Sequence, residues 1–354
     1  MDLPVPSPLK PVLARAVREI PEGDLLYEPK WDGFRCLVFR DGDEVVLQSR
    51  NERPLTRYFP ELVEPLLEQL PQRCVVDGEL VVVGPQGLDF DLLSARIHPA
   101  AKRIALMSGV APASFVAFDL VALDDEDLRD TPLAIRRALL VEHLSGVRAP
   151  IHLTPATTDR DLAQLWFDRF LGAGFDGVVA KPLDGVYVPD KRVQFKVKHH
   201  HAVDCVVGGY RLHKDGGVGS LLLGLFDGSP PLLHHIGVCS AFSAAKRRTM
   251  LAELEPHVVD EVGHPWAADD DPDPDQQRPG GNHRWSGGRD PSFVPLDGSL
   301  VVEVTCENVT SGRLRHPARF LRWRTDREPM SCTMDQLAAP APPEFTEIFG
   351  RADG

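Results

Sequence analysis

This 354-residue chain has no long apolar run, so no segment is expected to cross a bilayer as a helix. Its start, M-D-L-P-V-P-S-P-L-K, is proline-rich with an early acid, which excludes the pattern of a secretory signal. The six cysteines (Cys36, Cys74, Cys205, Cys239, Cys306, Cys332) are scattered and form no C-x-x-C. That argues against zinc and against a disulfide framework, and for a reducing cytoplasm. Neither a G-x-G-x-x-G fingerprint nor a G-x-x-x-x-G-K-[ST] loop occurs, and Gly217 and Gly219 read as turn glycines. Positive charge is short as well: 39 Lys and Arg against 52 Asp and Glu leave a net −13. A polyanion could dock only where a local field allows it. What remains is a soluble globular composition, 43% hydrophobic and 26% charged, at a length that suggests two or three domains.

The most informative stretch is E-P-K-W-D-G-F-R, residues 28–35. Lys30 stands two residues before Asp32-Gly33 and five before Arg35. Gly33 allows a close backbone approach or a special dihedral beside the lysine. The following F-R-C-L-V-F-R, D-G-D and E-V-V-L-Q-S-R read as a β-hairpin turning at Asp41-Gly42, with Lys30 at its lip. A lysine is a nucleophile only once its amine is neutral, and Lys181, Lys196 and Lys198 are cations that could favour that form.

Along the rest of the chain, short helices are expected over residues 12–19 and 59–70, the second broken at Pro65. Arg50 leaves the hairpin for a loop. V-V-D-G-E-L-V-V-V-G places Asp77 and Glu79 inside an apolar strand, where charge needs a partner or a metal unless Gly78 marks a bulge that turns the acids to water. F-V-A-F-D-L-V-A-L, with Phe118 and Asp119, is a second buried-type strand. Helices are expected over residues 132–144 and 159–171, the latter capped by Asp159. G-F-D-G-V-V-A-K-P ends in Lys181. In V-Q-F-K-V-K-H-H-H, Lys196 and Lys198 alternate and so share one strand face, which suits an anion between them. The three histidines that follow cannot all point at one ion and read as a linker. From Ala202 the texture becomes short strands with one helix near residues 244–254, an OB-type barrel. Residues 265–291 read as a long mobile loop containing the acidic run 269–275. Residues 314–327, L-R-H-P-A-R-F-L-R-W-R-T-D-R, form a basic strand.

Taken in order, these motifs resemble those of the polynucleotide ligase and capping-enzyme superfamily, and specifically the short two-domain bacterial ATP-dependent DNA ligases. The resemblance implies an α+β fold: a nucleotidyltransferase domain of antiparallel sheets flanked by helices over residues 1–200, then an OB-fold domain over residues 201–354. It leaves no room in residues 1–200 for a further DNA-binding domain. It implies that Lys30 is the nucleophile that forms lysyl-AMP from ATP. Lys196 and Lys198 would hold the α-phosphate, Asp32 and Arg35 the ribose, and Glu28 the adenine edge. Arg50 would lie near the substrate phosphate, Phe118 would stack on the purine, and Lys181 would close the fourth motif. Glu79 and Asp176 would serve Mg²⁺ or Mn²⁺, with Asp176 standing where the family more often has glutamate. Arg319, Arg324 and Arg327 would meet the pyrophosphate, Arg327 replacing the usual lysine. The implied partner is nicked duplex DNA, sealed by a cytoplasmic monomer acting with repair or end-joining proteins. An RNA ligase, a capping guanylyltransferase and a non-catalytic OB binding module are the rival readings.

Overall fold

The hairpin after Lys30 pairs Phe34–Asp41 with Glu44–Ser49 through a two-residue turn, Gly42-Asp43, in which Gly42 has φ +61°. These strands begin a computed structural model that describes residues 1–85, 87–170, 174–267, 273–280 and 292–338. Its described residues divide into two units, within 1–199 and 200–338.

In the first unit the hairpin joins Arg73–Gly84 and Ala113–Leu123 in a mainly antiparallel seven-stranded sheet. One face packs on helices Val63–Gln69, Phe90–Ala95, Ala101–Val110 and Leu133–Leu144, around Val38, Leu66, Val76, Phe115 and Leu140. On the opposite face Leu37, Phe39, Val75 and Val121 pack against Leu3, Val5 and Leu9 of the N-terminal arm. A second, four-stranded sheet runs Leu13–Val17, Arg192–Lys198, Gly177–Pro182, Leu25–Pro29. Helix Arg160–Arg169, capped by the Asp159 carboxylate on the N–H groups of Asp161 and Leu162, covers its outer face through Ala163. Trp31, Val81, Val116 and Phe175 form a small cluster of their own.

Two local expectations are corrected. The helix expected over residues 12–19 is the strand Leu13–Val17, parallel to Arg192–Lys198. So short a helix lacks the length to outlast its nucleation cost, whereas a sheet edge offers the same backbone a ready ladder. Residues 59–70 are not one helix broken at Pro65 but a 3₁₀ turn, Pro60–Leu62, followed by helix Val63–Gln69. Pro65 is the third residue of that helix, where its missing N–H removes no intrahelical bond.

The second unit is a barrel of five strands in sequence around the sheet, with a sixth, Val294–Pro295, paired to His201–Leu212. Its sheet runs Leu232–Cys239, Val218–Asp227, His201–Leu212, Val301–Cys306, Arg319–Trp323. A parallel bridge from Cys239 to Ala318 brings the first and last strands together, with Ala318 N–H donating to Val238 O at 2.8 Å. Helix Ala244–Leu254 packs Met250 and Leu254 into the apolar interior beside Leu221, Leu223 and Val302. This is the OB topology, and the whole chain is of the expected α+β class. The acidic residues 269–272 and most of the loop 265–291 fall outside the described residues. No helix among the described residues is long and apolar enough to cross a membrane.

Candidate nucleotide-binding site

The ladder between Leu25–Pro29 and Gly177–Pro182 continues one step past its last strand pair. Lys30 N–H donates to Gly177 O at 2.8 Å, and Asp176 N–H donates to Lys30 O at 2.9 Å. The backbone alone therefore delivers Asp176 to Lys30. The carboxylate then joins two lysines, Oδ2 lying 2.6 Å from Lys30 Nζ and 3.0 Å from Lys198 Nζ. Burial pushes the Asp176 carboxyl up, but Lys30 and Lys198 outweigh it and hold it below its usual range. Lys30 is thus held first by a carboxylate, which it shares with Lys198, one of the cations its sequence neighbours suggested. An attacking amine must leave that ion pair.

Two glycines permit this closeness. A Cβ on Gly33 would stand 2.0 Å from Leu80 O, so the reason for glycine there is close approach and not a left-handed dihedral. Gly177 has φ +133°, and a Cβ would stand 1.9 Å from Val197 O.

On the seven-stranded sheet Arg35 and Glu79 are direct cross-strand partners. Burial pushes Glu79 up to about 7, against the pull of Lys30 and Arg35. Asp77 is fully buried and does not face water. It accepts from Arg35 Nε at 2.6 Å and Nη2 at 2.5 Å, and from the Tyr187 hydroxyl at 2.6 Å. Gly78 does adjoin a bulge, because the register slips between Asp77↔Asp119 and Gly78↔Ala117, leaving Phe118 as the extra residue. Ala117 and Leu120 consequently share the core below, while Phe118 is turned away from it. Arg35 Cζ lies 4.7 Å, and Lys181 Nζ 4.5 Å, from the Phe118 ring centroid. Lys181 Nζ also donates to Phe118 O at 3.2 Å and pairs with Glu28 Oε2 at 2.6 Å.

These groups surround a cavity of about 170 Å³. Glu28, Lys30, Arg35, Arg50, Glu79, Phe118, Lys181 and Lys196 all line it. Burial, then the cations Lys198, Lys30 and Arg50, push the Lys196 amine down, as expected for an anion-ready lysine pair on one strand face. Asp32, Asp176 and Lys198 are not in the cavity wall, although the last two reach Lys30 by ion pairs.

Arg319, Arg324 and Arg327 lie in the second unit. Arg319 is exposed. Arg324 grips Asp204 with both carboxylate oxygens at 2.9 Å and Asp326 at 2.9 Å, and Arg327 Nε stands 3.8 Å from Asp204. Two of the three expected anion-binding arginines are therefore engaged with carboxylates of their own unit.

Several residues at the site were not singled out from sequence. The arm residues 11–14 form one wall of the cavity, and Trp31 and Gln194 line it. Trp31 Nε1 donates to Thr154 Oγ1 at 2.8 Å. Arg137 donates to Thr154 O at 2.7 Å and stands 3.9 Å from Glu28 Oε1. Asp119 is buried in a bidentate pair with Arg136. Only the acids in apolar runs gave any signal, since buried charge calls for a partner.

A β-rich unit whose cavity gathers a lysine, a K-x-K strand and buried carboxylates, joined to an OB barrel, defines the nucleotidyltransferase class. Residues 7–198 match the ATP-dependent DNA ligase domain and residues 214–327 the ATP-dependent DNA ligase C-terminal region. The chain belongs to the ATP-dependent DNA ligase family. It is 53% identical to DNA ligase C2 of Mycolicibacterium smegmatis over 96% of this chain and 97% of that one. It is 51% identical to DNA ligase C of Mycobacterium tuberculosis over 98% and 99%. A solved Lig E DNA ligase covers 88% of this chain and 99% of its own at TM-score 0.51 and 18% identity, a likeness of fold.

Proposed function

We propose that this protein is an ATP-dependent DNA ligase that seals 5′-phosphate/3′-hydroxyl nicks in duplex DNA through lysyl-AMP on Lys30. The observation that carries the reading is convergence: Glu28, Lys30, Arg35, Glu79, Phe118, Lys181 and Lys196, scattered over 169 positions, line one cavity.

In the first step the Lys30 amine, released from Asp176, attacks the α-phosphorus of ATP. A P–N bond forms, the bond to the β-phosphate bridging oxygen breaks, and pyrophosphate leaves, while the neutral amine gives up one proton to the solvent and keeps one N–H in the phosphoramidate. Lys196 and Lys198 hold the α-phosphate charge. Arg35, fixed by Asp77, and Asp32 serve the ribose, Phe118 the base face, and Glu28 the adenine edge. The AMP then passes to the 5′-phosphate of the nick, the P–N bond breaking as a phosphoanhydride forms. The 3′-hydroxyl attacks the 5′-phosphorus and AMP leaves, closing the strand. Arg50 is assigned to substrate phosphate. Arg319, with Arg324 and Arg327 once released from their carboxylates, is assigned to pyrophosphate.

No three His, Cys, Asp or Glu side chains cluster as a metal cage among the described residues. The carboxylates Glu79 and Asp176 are hard oxygen donors that suit Mg²⁺ or Mn²⁺ held mainly by phosphates, with Asp176 free to serve once its lysines are engaged by phosphate. Such an ion supplies charge neutralisation at the phosphates. The protein is proposed to act as a cytoplasmic monomer in DNA repair or end joining.

Incubation with α-labelled ATP and a divalent ion, followed by a denaturing gel, tests the first step, and nicked duplex with 5′-phosphate tests the rest. Label on the chain and a sealed strand are expected. Label from GTP alone, or sealing of RNA ends only, would replace this reading with one of its rivals.

A further inference from the structure

One polar residue in the cavity wall has no task in this scheme. Gln194 is 7% exposed and lines the cavity, and among the described residues its amide makes no hydrogen bond. An amide carries two N–H donors and an acceptor oxygen, and in the cavity wall those of Gln194 can serve a bound ligand.

The strand register says which part of a ligand that is. Gln194, Lys196 and Lys198 share one face of Arg192–Lys198, since alternate residues point the same way, and Val197 lies in the core on the other face. Lys198 is at the Asp176–Lys30 end. Gln194 is two residues beyond Lys196, about 7 Å along the strand. It pairs across the sheet with Ala14 of the arm, another wall residue. On the neighbouring strand Lys181, which contacts Phe118 and Glu28, occupies the same end of the sheet, four residues past the Gly177 that lies opposite Lys198. The reacting phosphate belongs at the Lys30 and Lys198 end. A nucleoside extending from it reaches the Gln194, Lys181 and Phe118 end.

We infer that Gln194 is a nucleotide-contacting residue that reads the adenine of ATP through its side-chain amide. The inference rests on the ligase reading above. A glutamine amide matches adenine as a bidentate pair, its oxygen accepting from the N6 amine while its N–H donates to a ring nitrogen. Glu28, whose Oε2 is held by Lys181 while Oε1 is buried without a hydrogen bond, offers a second acceptor at the same end of the cavity. An amine with two hydrogens can satisfy both acceptors, whereas a carbonyl oxygen at that position would face Glu28 with no proton to give.

The test uses the full-length protein and measures adenylate transfer to the chain as a function of nucleotide concentration. Two nucleotides are compared, ATP and purine riboside triphosphate, which lacks the N6 amine. Gln194→Ala is expected to raise the KM for ATP on the order of ten- to a hundredfold, with the rate at saturating ATP little changed. On purine riboside triphosphate the same substitution should have a much smaller effect, because the amine it would lose is already gone. Gln194→Glu, of equal size and acceptor-only, should fall between wild type and alanine on ATP, and serves if the alanine variant unfolds. An equal rise in KM on both nucleotides would mean that Gln194 only supports the wall, and an unchanged KM on both would place it outside the base site. Either result overturns the inference while wild-type labelling stands. Absence of wild-type labelling with any nucleotide would instead bring down the ligase reading itself.

Discussion

Lys30 and Asp176 illustrate why a side chain's chemistry is decided by its nearest charge. The carboxylate 2.6 Å from Lys30 holds the proposed nucleophile as half of an ion pair, with Lys198 completing the bridge. Lys30→Ala should leave no label on the chain after incubation with α-labelled ATP while the circular dichroism stays native. Retained label would move the nucleophile elsewhere. Asp176→Ala should slow labelling by about 10²-fold, the usual scale of one positioned electrostatic group, and Asp176→Glu should keep most of the rate. Full activity in the alanine variant would reduce Asp176 to a turn residue. Glu79 gives the pH dependence. Burial raises its folded-state pKa from 4.5 to about 7, so between those values the folded protein holds a proton that the unfolded chain has lost. Stability from this group therefore falls as pH rises from 4.5 to 7 and levels off above. In metal-free, nucleotide-free protein, the melting temperature of Glu79→Gln relative to wild type should climb across that window. A flat difference would mean that Glu79 titrates normally.

At the scale of elements, the site is made by ladders that bring motif ends together. The hairpin, the strand Arg73–Gly84 and the buried type of Ala113–Leu123 were legible as alternation and as turn residues. The strand Leu13–Val17 was not, because what makes those residues a strand is the partner Arg192–Lys198, some 180 positions away. Gly78 hinted at a bulge, but that Phe118 on the partner strand is its extra residue was invisible for the same reason, since the mismatch lies between two strands and belongs to neither alone. The glycines of the motifs are the weak points of these ladders. Gly33→Ala forces a Cβ to within 2.0 Å of Leu80 O, whereas Gly146→Ala meets nothing within 4 Å. Urea unfolding should show Gly33→Ala destabilised by about 1–3 kcal/mol, the range for overpacking, and Gly146→Ala close to wild type. Similar midpoints for the two would mean that the hairpin yields freely.

For the whole molecule, the two units share the charge problem unequally. The chain is acidic, yet residues 313–327 hold six arginines. The structure separates them by their contacts. Arg324 is locked between Asp204 and Asp326, and the Arg324 guanidinium in turn holds the Asp326 carboxyl down at about 2. Arg319 is exposed on the edge strand. Arg324→Ala should therefore lower the melting temperature of the barrel, by freeing Asp204 inside it. Arg319→Ala should leave melting unchanged and slow labelling by ATP, or weaken DNA binding in a way that low salt rescues. Loss of melting temperature in both variants would assign the whole basic strand to structure.

The sequence by itself determined the chemistry of this protein: the order of its lysines, carboxylates and glycines, the alternation that puts Lys196 and Lys198 on one face, and the break from strands with helices to a barrel. These are local patterns, readable because covalent spacing and the two-residue strand period set them. Tertiary structure alone decided which opposite charge each of those groups meets. Asp176 bridges Lys30 and Lys198, Asp77 holds Arg35 and Tyr187, Glu28 pairs with Lys181, and Arg324 is withheld by Asp204. A Coulomb or hydrogen-bond partner is selected by a few ångströms in space, and strand pairing supplies that closeness without regard to distance along the chain.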